Sequence, residues 1–222
     1  MAHRTPRANY QRLVSRLNLF PQGAPPSELL YQILSLLFSA DEAELVAALP
    51  IKPFTAEQAA RSWKVPVAEA EKILQRLAGR ALLVDIRGKE KTEYVMPPPM
   101  AGFFEFALMR TRGDIDQKLL SELYEQYISV EDDFIRQLFL TGNTQLGRVF
   151  VLEDSVSSEH ALHVLDYERA TQVIETADEI GVGLCYCRHK REHQGKACDA
   201  EMDICMTFNS VAASLIRSEY VR

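Results

Sequence analysis

The sequence has no long apolar run. Its most hydrophobic stretch, residues 29–38, is interrupted by Tyr31, Gln32 and Ser35. It falls far short of the roughly 20 residues that a membrane-spanning helix needs, which excludes a transmembrane segment. Nor is there an excess of base. Lys and Arg total 25 against 31 Asp and Glu, a net charge of −6, which excludes a surface built throughout to neutralise phosphates. Arg4, Arg7, Arg12 and Arg16 precede the first acid, Glu28, but no apolar signal-peptide core follows them, so a cytoplasmic location is expected. Internal repeats and low-complexity tracts are absent. The remaining composition, 47% hydrophobic and 25% charged with 10 Gly and 10 Pro, is that of an ordinary globular chain of one large core or two small ones.

Cysteine is scarce as well, but unevenly placed. Cys185, Cys187, Cys198 and Cys205 all lie within 21 residues, whereas a secreted disulfide framework spreads its cysteines across the fold. Reduced thiols gathered in this way are better explained as ligands.

Periodicity organises the rest. Residues 7–19 carry Tyr10, Leu13, Val14 and Leu17 at helical spacing. Residues 29–38 are apolar on nearly all sides and predict a helix at the centre of a core. Residues 41–49 predict a short helix with Asp41 and Glu42 at its favourable end. Thr55 caps a helix over 56–63, and Pro66 opens another over 67–78 that breaks at Gly79. The period then changes to two: 83–87, a Gly88-Lys89-Glu90-Lys91 turn and 92–96 predict a β-hairpin, closed by prolines 97 to 99. Helix, helix, helix, hairpin is the order of a winged helix-turn-helix, which it resembles over residues 24–96. Further helices are expected around Phe103 to Leu108, Leu119 to Tyr127 and Phe134 to Phe139, over 167–180 with a stop at Gly181, and over 202–216. Residues 149–152 are a strand candidate. The fold class expected is therefore mainly α with a small β-hairpin. It comprises a basic arm (1–23), a winged-helix domain (24–99), a helical connector (100–159) and a four-cysteine metal-binding module (160–222).

The cysteine spacing is Cys-x-Cys, ten residues, Cys, six residues, Cys. Four soft thiolates suit a tetrahedral Zn²⁺ or an iron–sulfur cluster and select against calcium or magnesium. Zinc sites pair cysteines two to four residues apart, and the gaps of one and ten do not fit that habit. Iron–sulfur sites accept more varied spacing. Between Cys187 and Cys198 stand Arg188, Lys190, Arg191 and Lys196 against Glu192 alone, a local +3 in an acidic chain. Either centre with four thiolates totals −2, and one cation at about 5 Å in an effective dielectric near 20 contributes on the order of 3 kcal/mol before desolvation. A solvated basic loop beside unrelated thiols is the plainer alternative.

The run Ile180-Gly181-Val182-Gly183-Leu184-Cys185-Tyr186-Cys187-Arg188-His189, then Gly195-Lys196-Ala197-Cys198-Asp199 and Met202-Asp203-Ile204-Cys205-Met206, resembles the Cys-x-Cys-Arg segment of ferredoxin-related iron–sulfur proteins of anaerobic bacteria. Leu165-Asp166-Tyr167-Glu168 resembles the same family's lead-in, and the likeness spans about 160 to 217. It implies an iron–sulfur cluster, most simply 4Fe–4S, held by Cys185, Cys187, Cys198 and Cys205, with Arg188 beside the sulfurs or docking the loop. It also implies a role in electron transport and a protein redox partner or ferredoxin-type domain. Family members usually carry a ferredoxin Cys-x-x-Cys-x-x-Cys run after this segment. None is present here, so the chain is expected to be a piece of a longer protein or a short member without that module.

Other readings stay in view. His189 and His193, four apart, are candidate substitutes for a thiolate, while His160 and His163 read as surface residues. Residues 142–148 mimic a phosphate loop but lack its Lys and its Ser or Thr, which excludes a nucleotide site. A reactive thiol beside Arg188 and Lys190 is a third reading, but no partnered general base is visible and Cys198 and Cys205 would go unexplained. The chain therefore reads as an accessory rather than an enzyme. From residue 24 to 96 nine bases meet ten acids, with Glu69 and Glu71 on the presumed recognition helix, so DNA is not the favoured partner. The runner-up function is a metal-sensing winged-helix transcription regulator.

Overall fold

A computed structural model describes residues 6–20, 23–131, 134, 136 and 167–222. The architecture is mainly helical with two small antiparallel sheets. Among the described residues no helix is long and apolar enough to cross a membrane. The strand expected at 149–152, the phosphate-loop mimic at 142–148, His160, His163 and the lead-in Leu165-Asp166 lie outside the described residues.

The N-terminal unit starts with α1 (Pro6–Leu17) and α2 (Glu28–Leu37), whose apolar faces put Leu13, Leu17, Leu30, Ile33, Leu34 and Leu37 wholly inside. Ser27 caps α2 through a 3.1 Å bond accepted from Leu30 N. Ser39 and Glu42 form a reciprocal capping box that fixes the start of α3 (Ala40–Ala47). Then come β1 (Phe54–Thr55), α4 (Ala56–Trp63), α5 (Val67–Gly79), β2 (Val84–Arg87) and β3 (Thr92–Val95). The strands form an antiparallel sheet in the order β1-β3-β2, with Phe54 opposite Tyr94 and Asp85 opposite Tyr94 on the other side. The two-residue strand β1 has no period of its own and was not expected from the sequence. A 2.9 Å bond from Gly88 N to Lys91 O closes the hairpin at the expected turn.

After the prolines, a π-turn (Pro99–Phe103) runs into α6 (Phe104–Phe106), and α7 (Gln117–Tyr124) runs into a second π-turn (Glu125–Val130). Phe103, Phe104, Tyr124 and Tyr127 complete the main core, with Phe104 and Tyr124 ring centroids 5.0 Å apart. Buried Gln117 holds the 107–112 backbone by donating to Ala107 O and Arg110 O and accepting from Arg112 N.

The C-terminal unit departs from the expected run of helices. Helix α8 (Tyr167–Thr176) ends before Gly181, and residues 180–183 form β4 (Ile180–Gly183). The single helix expected over 202–216 is a strand, β5 (Cys205–Phe208), followed by α10 (Asn209–Arg217). Strands β4 and β5 pair antiparallel, Gly183 opposite Cys205. Between them lies α9 (Tyr186–His193). Val182 exchanges backbone bonds of 2.8 and 2.9 Å with Arg222, so the chain's last residues line the free edge of β4. A second, smaller core of Val84, Phe106, Met109, Leu215 and Tyr220 packs this unit onto β2 and the α6 region.

Candidate metal centre

Strand β4 delivers Cys185 to the start of α9. Its glycines allow the close approach of the terminal segment: a Cβ at Gly183 would meet Val221 Cγ1 at 2.8 Å and the Tyr220 carbonyl at 2.9 Å. Cys185 N donates to Met202 O at 2.6 Å. That bond continues the β4–β5 ladder past the Gly183–Cys205 pair, so Cys185 and Cys205 share one end of the sheet. Cys185 is the N-cap of α9, and Cys187 lies in its first turn, where the helix dipole favours a thiolate.

The environments of the thiols differ. Cys205 is half-buried, and burial pushes its thiol up, with the nearby Cys185 and Cys187 adding to the effect. Cys185 and Cys187 are thus near enough for their charges to act on the Cys205 thiol. Cys198 is exposed, after a turn with Gly195 at φ +67°. Its thiol is pushed down by a hydrogen bond from the Ala200 backbone and then by Arg188, whose side chain also donates to Glu201 O at 2.5 Å. Arg188 thus ties the loop through Glu201 O, and its charge acts on the Cys198 thiol.

All four cysteines are free thiols. Among the described residues no three or more His, Cys, Asp or Glu side chains stand together in an arrangement that would hold a metal ion. The donor set, four thiols with one guanidinium against them, fits a soft metal or an iron–sulfur centre in its chemistry.

The basic stretch between Cys187 and Cys198 is mostly helix rather than solvated loop, and its charges are largely used elsewhere. Lys190 and Arg191 bind the two oxygens of Glu125 at 2.9 and 3.0 Å. These contacts hold Glu125 below the ordinary carboxylate range, the Lys190 hydrogen bond being the largest cause. Of the expected +3, Arg188 is the charge seen against a cysteine. The histidines also turn inward. Buried His189 donates from Nδ1 to Leu108 O at 2.8 Å, and its Nε2 lies 3.2 Å from Nε2 of His193. His189 thereby ties α9 to the Leu108 carbonyl, with its Nε2 facing that of His193.

Sequence reasoning missed two neighbours of the thiols. Burial pushes the Tyr186 hydroxyl up, helped by the charges of Glu105 and Cys187 beside it. Glu105 comes from α6, some 80 residues upstream, and no local pattern announces it. The alternation in Ile180-Gly-Val-Gly183 and the β-prone Cys205-Met-Thr-Phe208 would have signalled the sheet. Comparison of the chain with family models, with curated proteins and with solved structures finds no match in any of the three.

Proposed function

We propose that Cys185, Cys187, Cys198 and Cys205 hold one sulfur-ligated centre, an iron–sulfur cluster of the 4Fe–4S kind, and that the chain is an accessory in electron transfer. The observation that supports this reading is that the Gly183–Cys205 end of the β4–β5 sheet lies next to the start of α9, where Cys185 is the N-cap and Cys187 stands in the first turn. Cys198 completes the set when its loop, now docked by Arg188, closes on the other three. Once bound, such a centre supplies one-electron transfer. The protein orients the sulfurs through β4, β5 and α9, shields Cys205, and offers Arg188 as a donor to sulfur. The resemblance of the Cys-x-Cys-Arg segment to ferredoxin-related proteins supports iron–sulfur over zinc, and the one- and ten-residue gaps argue the same way. The electrons go to or come from a protein redox partner or ferredoxin-type domain. Iron and sulfide analysis of anaerobically purified protein, with Cys187→Ser as control, tests the reading.

A second reading has its own observation. The order α2, α3, β1, α4, α5, β2, β3 with sheet order β1-β3-β2 supports a winged helix for residues 24–99, and hence a metal-sensing regulator of transcription. The charges favour a protein-docking module instead. Arg76 and Arg80 of the presumed recognition helix and its end both face Glu42, at 3.4 and 2.9 Å, and Glu69 and Glu71 are exposed on the same helix. A salt-dependent DNA-binding measurement separates the two.

A further inference from the structure

A cavity of about 530 Å³ lies between the β2–β3 hairpin and the C-terminal unit. Its walls are apolar: Ile86 and Val95 of the hairpin on one side, Phe208 and Val211 on the other, Phe106 and Met109 between them. Its polar lining is Glu105, Tyr186 and Cys205, with Thr207 and Ser210 beside Phe208. Tyr186, Glu105 and Cys205 line the same cavity, and the charge of Glu105 acts on both the Tyr186 hydroxyl and the Cys205 thiol. A volume of several hundred Å³, apolar walls and a few grouped polar atoms are the attributes of a small-molecule site.

The lining also limits the charge of what enters. It holds no Lys or Arg, so an anion would be desolvated without a counter-ion. Its carboxylate, Glu105, is held by a 2.9 Å bond accepted from Gly102 N and shares the wall with Tyr186. Phe106, Phe208, Tyr186 and Met109 favour an aromatic ring through edge and sulfur contacts.

We propose that this cavity binds a neutral aromatic small molecule carrying one polar oxygen, which meets the Tyr186–Glu105 pair beside Cys205. The proposal rests on the cavity walls and holds whether or not the four cysteines carry a metal.

Calorimetric titration of the full reduced chain with 2-naphthol tests it, with naphthalene-2-carboxylate as the anionic counterpart. The neutral probe is expected to bind at one saturable site, and the carboxylate roughly tenfold more weakly or not at all. Val211→Trp, which fills the cavity from a half-buried position, abolishes binding while iron content and far-UV circular dichroism stay unchanged. Ile86→Trp on the opposite wall gives an independent reading, and Tyr186→Phe weakens binding about fivefold. Three outcomes overturn the proposal: no saturable binding of 2-naphthol, equal binding of the carboxylate, or binding that survives both folded tryptophan variants.

Discussion

The hydroxyl of Ser214 donates a 2.6 Å hydrogen bond to Oδ1 of Asp85, a residue 129 positions earlier in the chain. Arg217, one helical turn further along α10, adds contacts of 3.0 Å to Oδ2 and 2.7 Å to the Asp85 carbonyl, and Asp85 N donates back to Ser214 Oγ at 3.1 Å. Strand β2 of the N-terminal unit is thereby bolted to the last helix of the unit that carries the cysteines.

This junction predicts a graded loss of stability. Ser214→Ala removes two buried bonds, one donated to Asp85 Oδ1 and one accepted from Asp85 N, and is expected to cost about 2 kcal/mol. Asp85→Ala leaves the Arg217 guanidinium without its partner and is expected to cost about 3 kcal/mol. Urea denaturation monitored by circular dichroism checks both. Equal effects of the two substitutions would show that the charge contributes nothing beyond the hydroxyl's bonds.

Acid should weaken the same junction. Burial alone would raise the Asp85 carboxyl, but bonds from Arg217 and Ser214 overcome it and hold it below the ordinary range. Glu42 behaves likewise, its burial outweighed by Ser39 and Arg80. A carboxyl depressed in the folded state contributes stability that is fully present above the unfolded value of about 4 and is lost as pH falls through the folded value. His193, pushed down by burial and His189, has the same sign at higher pH, since its contribution declines below about 6.5. The urea midpoint is therefore expected to fall slightly from pH 7 to 5.5 and steeply below pH 4. A midpoint that rises on acidification contradicts these directions.

The thiols should react unequally in metal-free, reduced protein. Cys198 is exposed with its thiol pushed down, and Cys205 is half-buried with its thiol pushed up. Iodoacetamide at neutral pH is expected to modify Cys198 well before Cys205, because the thiolate is the reacting form. Arg188→Gln should slow Cys198 selectively. Peptide mass spectrometry over time reads both, and an unchanged Cys198 rate in the variant would remove Arg188 from that role.

The charge arrangement on α5 predicts weak interest in DNA. With Arg76 and Arg80 turned to Glu42, few cations remain to release counterions from a duplex, so no salt-sensitive affinity for the protein's own promoter region is expected at physiological salt. A sequence-selective shift in that assay would favour the transcription-regulator reading.

Much of the N-terminal unit is legible because each local signal there has one interpretation. Thr55, Pro66 and the Gly88–Lys91 turn mark boundaries that tertiary packing leaves in place. The C-terminal unit is harder to read because its strands are four residues long and sit against helices. Ile204, Met206 and Phe208 satisfy a helical stripe as well as a strand, and the pairing of β4 with β5 and residue 222 decides the outcome. The same limit applies at the site. Cysteine spacing exposes the thiols and Arg188, whereas Glu105 reaches Tyr186 only through the folded chain. The basic stretch after Cys187 suggested charge compensation, but Glu125, invisible as a partner in sequence, takes Lys190 and Arg191.

Iron and acid-labile sulfide in anaerobically purified protein test the four-thiolate centre most directly. The expected result is brown protein containing iron and sulfide, with both lost on Cys187→Ser. Colourless protein with one equivalent of zinc would keep the thiolate site but overturn the iron–sulfur assignment, and metal-free protein with four titratable thiols would contradict the centre itself.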